Sequence, residues 1–379
     1  MKRPGLALVA ALVIAVIAII VREPDSPRHL PDDDGPDPSV AASDVAIGAV
    51  PKSTLDTDRI TARTCKERAR ERLKRSRELD IPNIVLDAVA SLQQSGDSEH
   101  VLAAALMSSD RKELQAILDR VLSEDPANRV AHGKNLENCR AVGSECDRRA
   151  VEAAVIAVDS ANGLVWMDIA SAHMLEDRWD HAEDALRRAA VAPRFDTYFM
   201  EYALLIERGL AATSDLSYTD RMIAGIGYAA AAATPAYGEV TRGCGGEVVG
   251  FSLPADVCFE LGEQMARNSR ELLAMHIGKH IQQDAARRLG DEGLARQLGR
   301  EKQALQDAAL HASADSGAQV LLQNDATVLQ RYIDTFLAHG EIRATEALVA
   351  EARRLREDPD YDQCNFVGNP DFERQPTAP

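Results

Sequence analysis

A short motif recurs along the first half of the chain at a constant spacing. Asp-Pro-Ala-Asn at residues 125–128 returns as Asp-Ser-Ala-Asn at residues 159–162, 34 residues later, and a further break, Ala-Pro-Arg, follows at residues 192–194. Self-similarity at this period is typical of helical-hairpin arrays, in which a unit buries its apolar face only by stacking on a neighbour. The spacing therefore predicts a stack of helical hairpins.

The composition favours the same class of fold. Aromatic residues make up only 4% of the 379 residues, while Ala, Leu, Arg and Glu, which favour helices, are abundant. The net charge of -17 repels phosphate backbones and argues against nucleic-acid binding. We expect an all-α protein.

The unit that follows residue 162 carries a more specific pattern. It reads Trp166-x2-Ile169-Ala170-x2-His173, then Ala182-x3-Leu186-x2-Ala189, then Pro193. This resembles the tetratricopeptide repeat, whose pattern is Trp-x2-Leu-Gly-x2-Tyr, Ala-x3-Phe and Pro over 34 residues. Ala170 replaces the family's glycine and His173 its aromatic residue. The resemblance implies an α-solenoid in which small residues sit where helices approach closely and Trp166, Ile169 and Leu186 fill the gaps.

The resemblance also suggests where a partner would bind. In this family the first helix of each hairpin lines a curved surface that usually binds a peptide or protein segment. On the best-matching unit, that surface corresponds to Met167, Ser171 and Met174. Methionine suits adaptable apolar contacts. Alternatively, the same side chains pack on the next helix.

The N-terminus predicts a membrane anchor at residues 1–22. Lys2 and Arg3 precede an uncharged apolar stretch at residues 5–21, which is long enough to cross a bilayer with some local thinning. No small-x-small motif follows it, so an uncleaved anchor is favoured over a cleaved signal peptide. The flanking charges place the N-terminus in the cytoplasm. Because lysine is scarce and alanine abundant, we expect a bacterial inner-membrane protein with most of its chain in the periplasm.

A linker and a basic segment follow the predicted anchor. Residues 23–58 carry nine acidic and two basic residues and are rich in Pro, Asp, Ser and Gly, so we expect a disordered acidic linker. Residues 59–78 carry nine basic and three acidic residues. They could touch anionic lipid headgroups, but a solvated helix with i,i+4 ion pairs is the favoured interpretation.

Six cysteines fit an oxidising, exported location. Closeness in sequence favours the pairs Cys139/Cys146 and Cys244/Cys258, which leaves Cys65 and Cys364 by elimination. There is no CxxC motif, so zinc binding is disfavoured.

The remaining sequence divides into four predicted regions. A repeat region covers residues 59–234, a Gly-rich disulfide-closed loop covers 235–258, a C-terminal helical region covers 255–358, and a tail covers 359–379. Four aromatic residues at i, i+3, i+4 and i+7 predict a buried face of one helix: Phe195, Tyr198, Phe199 and Tyr202.

The sequence contains none of the short motifs that are strongly associated with a catalytic mechanism. The best candidate for metal chemistry is His276-x3-His280 followed by Asp284, on one predicted helical face. A solvated or hydrogen-bonded face is the favoured interpretation. We therefore predict no catalytic residue, no metal and no cofactor.

These observations predict a membrane-anchored, exported scaffold or adaptor, rather than an enzyme, that binds a protein or peptide partner at the cell envelope. Two alternatives stay open at this point. One is a periplasmic helical-toroid enzyme acting on cell-wall material, for which only the His276/His280 pair speaks. The other is a structural subunit of an envelope complex.

Overall fold

The computed structural model describes residues 64–75, 78–108, 110–142, 146–232, 236–246 and 252–368. Within these ranges the regular structure is helical, apart from two isolated β-bridges, so the all-α expectation is confirmed. The predicted anchor and linker, residues 1–58, lie outside them. None of the helices in these ranges is long and apolar enough to cross a membrane.

The helices are numbered here in chain order. Helix α1 covers residues 64–75. The others are α2 (Ile81–Gln93), α3 (Ser98–Met107), α4 (Arg111–Glu124), α5 (Arg129–Val142), α6 (Arg148–Asp159), α7 (Gly163–Leu175), α8 (Trp179–Val191), α9 (Phe199–Thr213), α10 (Tyr218–Ala232), α11 (Tyr237–Gly245), α12 (Ala255–Asn268), α13 (Leu272–Arg288), α14 (Glu292–Ser316), α15 (Ala318–Asn324), α16 (Ala326–His339) and α17 (Glu341–Glu357). A short 3₁₀ turn covers Gln363–Phe366.

The chain divides into two compact units. The first contains α1 and residues 362–368, and the second is Asp80–Tyr361. In the first unit, Arg72 donates hydrogen bonds to the backbone carbonyls of Cys364 and Val367 at 3.0 and 3.1 Å. Residues 235–258 lie within the second unit.

Pairs of consecutive helices that pack together in the second unit are consistent with a helical repeat. The pairs α5/α6 and α7/α8 follow one another, and α12 then packs on α8. The intervening pair, α9/α10, packs instead on α3, and α10 also contacts α15 and α16. The spatial order of the pairs therefore differs from their order in the sequence.

The 34-residue spacing has a direct structural cause at three positions. The side-chain oxygens of Asn128, Asn162 and Asp196 each accept a backbone N–H from two or three residues later, at 3.0, 3.2 and 2.9 Å. At Asn128 and Asn162 these bonds satisfy N–H groups that a helix start leaves unpaired. At Asp196 the bond lies in the turn before α9, whose N-cap is Tyr198. In the first two turns the asparagine amide also donates to the aspartate three residues earlier, at 3.2 Å. The repeated motif is thus a repeated helix cap.

Helix α7 lies at the centre of the core, because every residue from Gly163 to Met174 is buried. The Trp166 indole N–H donates to the Ser160 carbonyl at 2.8 Å, and Arg188 lies over its ring at 4.9 Å. Pro193 is exposed. The other residues of the repeat pattern are buried: Trp166, Ile169, Ala170, Ala182, Leu186 and Ala189.

Two local expectations differ from the structure. The aromatic residues do not share one helix, because α9 begins only at Phe199 and Tyr198 has a φ of 57°. Phe195, Tyr198 and Tyr202 are nevertheless buried, as expected of core. The segment predicted as an irregular Gly-rich loop contains α11.

The cysteines lie in three pairs whose geometry is compatible with disulfide bonds. The Cα atoms of Cys139 and Cys146 are 5.5 Å apart, as are those of Cys244 and Cys258. Those of Cys65 and Cys364 are 4.7 Å apart. All three distances lie within the 4.4–6.8 Å usual for disulfides.

Candidate functional site

The side chains predicted to line a binding surface are not exposed. Met167 and Ser171 are fully buried and Met174 is 6% exposed. The prediction of an open surface at these residues is corrected accordingly, because another element of the chain covers them. We call this part of α7, comprising Met167, Asp168, Ser171 and Met174, the α7 face.

Helix α11 contacts two residues of the α7 face, Asp168 and Met174. At one end, the Ala236 N–H donates to Asp168 Oδ1 at 3.1 Å. At the other, a Cβ placed on Gly243 would lie 3.4 Å from Met174 Sδ. Since both chains advance from the first contact to the second, α11 runs in the same direction as α7.

The buried residues of α11 form one stripe. Ala236, Val240 and Cys244 are fully buried and Gly243 is buried, and the four follow the i, i+4, i+7, i+8 spacing of a single helical face. Gly243 is needed for the close approach, because a Cβ there would meet Leu253 Cδ1 at 2.9 Å. α11 is thus a short amphipathic helix that packs against the rest of the unit through a narrow apolar face.

The C-terminal end of α11 is fixed by two independent contacts. Arg288 of α13 donates to the carbonyl of Cys244 and to that of Leu253. Cys258, at the start of α12, lies at disulfide distance from Cys244. The C-terminal cap of α11 is Gly246, which has a φ of 76°, a backbone conformation that glycine adopts readily. α11 is therefore pinned at its C-terminal end and held at its N-terminal end by Asp168.

Asp168 is the charged group of the α7 face. Its Oδ1 atom also accepts a hydrogen bond from Arg140 of α5 at 2.8 Å, and both side chains are largely buried. Burial raises the pKa of Asp168 to about 6, Arg140 opposes the rise, and Glu137 adds to it. A carboxylate at the start of α11 also interacts favourably with the partial positive charge of the helix N-terminus.

Ser171 leaves part of the α7 face unsatisfied. Its hydroxyl oxygen is buried and has no hydrogen-bond partner among the residues that the structure describes. A buried polar group without a partner costs about 1–3 kcal/mol. The hydrogen-bonding capacity of the α7 face is therefore not fully used within the described part of the chain.

A polar network joins the inter-helix turns beside α7. Arg194 donates to Asp159 and, at 3.2 Å, to Asp196. The Tyr198 hydroxyl also donates to Asp159, and the Asn162 amide donates to the Asp196 carbonyl at 3.0 Å. Burial, together with the neighbouring Asp159, raises the pKa of Tyr198, so the phenol stays a donor. The network therefore has a structural role: its bonds hold successive inter-helix turns together.

Glu271 is a second buried carboxyl group near this joint. The Thr197 hydroxyl donates to Glu271 Oε1 at 2.9 Å, while Oε2 has no partner within the described part of the chain. Burial raises the pKa of Glu271 to about 7, and the charges of Asp196 and Glu341 add to the rise. Glu271 is therefore a group whose charge changes near neutral pH.

His276 and His280, the histidine pair singled out in the sequence, are not arranged so as to bind a cation together. His280 Nε2 lies 3.7 Å from Asp284 Oδ2 on the same helix. Burial lowers the pKa of His276 to about 4, and the neighbouring Lys302 and His280 lower it further. In the described ranges, no group of three or more His, Cys, Asp or Glu side chains is placed to hold a metal ion.

Sequence reasoning missed both α11 and the role of Asp168. The buried stripe of α11 was visible as Ala236, Val240, Gly243 and Cys244 at helical spacing. Five glycines between residues 238 and 250 concealed it, because glycine disfavours helix interiors. Nothing in the sequence around Asp168 distinguishes it from the other acidic residues.

No protein-family model, curated protein or solved structure matches the chain. Its function is therefore inferred from its own residues.

Proposed function

We propose that the protein is a membrane-anchored, exported scaffold or adaptor with tetratricopeptide-like stacking of its helical hairpins. Its α7 face binds a short helical segment of a protein partner at the bacterial cell envelope. The observation that carries the proposal is the seating of α11, a helix of nine residues, on that face. A surface that accepts one short amphipathic helix has the dimensions and chemistry to accept another.

The tetratricopeptide-like interpretation is supported by the pattern in α7 and α8. Ala182 and Ala189 are fully buried in α8, where α7 and α8 pack closely, and Trp166 fills space beside them. Small residues at helix contacts and a large aromatic residue beside them are what the repeat requires. The helix caps at Asn128 and Asn162, and the matching turn at Asp196, support the same 34-residue period.

Placement at the inner membrane, with most of the chain in the periplasm, rests on the apolar N-terminal stretch and its flanking charges. Three cysteine pairs at disulfide distance fit an oxidising compartment. A reporter enzyme that is active only outside the cytoplasm, fused after Pro379, should be active. Activity of a cytoplasm-only reporter at the same position would contradict this placement.

Binding to a partner is tested by photo-cross-linking in living cells. A photoreactive residue at Leu175, which is 59% exposed at the end of α7 beside Met174, should form an adduct with one partner protein, and mass spectrometry should locate the adduct in a helical segment of that partner. The matched position is Leu86 on α2, which is 65% exposed and far along the chain from the α7 face. The same adducts at both positions, or adducts only within the chain itself, would contradict the proposal.

A further inference from the structure

Two inter-helix turns of the second unit are joined and bring two glutamates together. The Glu341 N–H, at the start of α17, donates to the Arg270 carbonyl at 2.8 Å. In return, the Leu272 N–H donates to Glu341 Oε2 at 2.7 Å. Glu271, the N-cap of α13, lies between Arg270 and Leu272 in the chain. The carboxyl groups of Glu271 and Glu341 are therefore neighbours.

Glu271 differs from the other buried acidic side chains of the described ranges in having no cation beside it. Those others form ion pairs with arginine: Asp159 and Asp196 with Arg194, Asp168 with Arg140, and Glu207 with Arg221. Glu271 is 8% exposed and accepts a hydrogen bond from Thr197, while its Oε2 atom has no partner among the described residues. Since buried charges are normally paired, a positive charge is missing at this point.

The side chains around Glu271 line a recess. Tyr237, Tyr332 and Glu341 each keep part of their surface accessible. Burial nevertheless raises the pKa of all three groups. A side chain that is surrounded by protein and still reached by solvent lies in a recess. The charge of Glu271 adds to the rise at Tyr237, and that of Glu341 adds to the rise at Tyr332, so the four side chains are neighbours in series. We call them the Glu271 recess.

We propose that the Glu271 recess binds an organic cation through a primary ammonium group that pairs with Glu271 Oε2. Such a ligand supplies the positive charge that the described side chains do not. Tyrosine rings also attract cations, and Tyr237 and Tyr332 provide two of them. This site goes beyond the proposed function, which does not depend on it.

The chemistry of the recess separates one kind of ligand from others. An anion is repelled by the two carboxyl groups. A metal ion needs several ligands, and in the described part of the chain no three His, Cys, Asp or Glu side chains are placed to hold one. A quaternary ammonium has no N–H to donate to Oε2, whereas a primary ammonium has three. A primary amine is therefore the ligand that fits.

The test measures binding of 1,4-diaminobutane to the full chain in micelles of a non-ionic detergent, by isothermal titration calorimetry at pH 8. The diamine offers an ammonium group to each carboxyl group of the recess, and 1,4-butanediol is its uncharged control. The net charge of -17 attracts any cation, so a control for non-specific binding is needed. Glu271→Gln removes one charge from the recess, and Glu346→Gln removes the same charge from an exposed site on α17.

We expect the unaltered chain to bind the diamine and not the diol. Glu271→Gln should weaken binding about ten-fold, because it removes a charge-assisted hydrogen bond. Glu346→Gln should leave the Kd unchanged within about two-fold, because an exposed charge interacts weakly. Equal weakening by the two variants, equal binding of the diol, tighter binding of Ca²⁺ than of the diamine, or no binding of the diamine by the folded unaltered chain overturns the proposal.

A second measurement uses the unaltered chain and covers the case in which Glu271→Gln does not fold. Glu271 faces Asp196, Glu341 and Tyr237, and burial, followed by the charges of Asp196 and Glu341, raises its pKa to about 7. The cation pairs with the ionised carboxylate, so the Kd should fall as the pH rises from 5.5 to 8. Binding at pH 6 should release a proton, which makes the measured heat depend on the ionisation enthalpy of the buffer. A Kd that stays constant over this pH range overturns the proposal.

Discussion

Ser171 offers a test of the α7 face at the scale of one residue. Because its buried hydroxyl has no partner among the described residues, Ser171→Ala removes an unsatisfied polar atom and leaves only a small void. We expect the free energy of unfolding to rise by about 1–2 kcal/mol, including the helix preference of alanine. The control is Ser91→Ala on an exposed site of α2, where helix preference alone gives about 0.5 kcal/mol. Equal gains in urea unfolding, or a loss at Ser171, would show that the hydroxyl is satisfied.

Three buried titratable groups and one partly buried one make stability depend on pH in opposite directions. The pKa values of Glu271 and Asp168 are raised to about 7 and about 6, so their contributions are present at low pH and are lost as the pH rises through those values. Burial lowers the pKa values of His173 and His276 to about 4. Their contributions are present above the ordinary histidine pKa of 6.5 and are lost as the pH falls towards 4. The two effects oppose each other, so single variants are needed to separate them.

Glu271→Gln isolates one of these groups. Between pH 4.5 and 7 the wild-type chain loses stability as the pH rises, because unfolding releases the proton that the buried carboxyl holds. The glutamine side chain keeps an oxygen for Thr197 and carries no proton. We compare the free energy of unfolding of the variant with that of the wild type by urea unfolding at pH 4.5 and at pH 7.5. Relative to the wild type, the variant should be more stable at pH 7.5 than at pH 4.5 by up to about 3 kcal/mol. A difference in stability that does not change with pH would show that Glu271 titrates normally.

At the scale of whole elements, the sequence predicts what repeats locally. The Asp-x-x-Asn motif marks helix starts because it caps them through bonds within four residues. Trp166 and Ala182 mark the contact between α7 and α8, where both are buried. α11 escaped prediction since its helix is stabilised by distant contacts with Asp168 and Arg288, which override the low helix preference of its glycines.

The contact between α7 and α8 can be tested with one small residue. Ala182 is fully buried, so Ala182→Leu should overpack the interface and lower the free energy of unfolding by about 1–3 kcal/mol. Ala153→Leu on the exposed side of α6 is the matched control and should change stability by less than about 0.5 kcal/mol. Equal melting temperatures for the two variants would mean that the repeat pattern is assigned in the wrong register.

At the scale of the whole molecule, the order in which pairs stack could not be read from the sequence. Helices α12 and α13 continue the stack after α8, although α9 and α10 come between them in the chain. The reason is a long-range one: α9 finds its partner in α3, about 100 residues earlier. The sequence shows that each helix has an apolar side, but a helix pair with a well-formed apolar side can stack on any neighbour of complementary shape.

The pair formed by Cys65 and Cys364 allows a test of whether cysteines at the two ends of the described chain form a disulfide in the cell. The two residues are 299 positions apart, so a disulfide between them closes a loop that contains the whole of Asp80–Tyr361. Cleavage at a single site between residues 147 and 243 lies outside the two shorter loops, and the resulting fragments can then stay joined only through Cys65 and Cys364. Asp215 is exposed in the short segment between α9 and α10 and is a suitable place to insert a specific protease site. For protein taken from its own compartment with thiols blocked, we expect one band on a non-reducing gel and two bands after reduction. A Cys364→Ser chain should give two bands without reductant, and two bands from the cleaved wild-type chain would show that this pair is reduced in the cell.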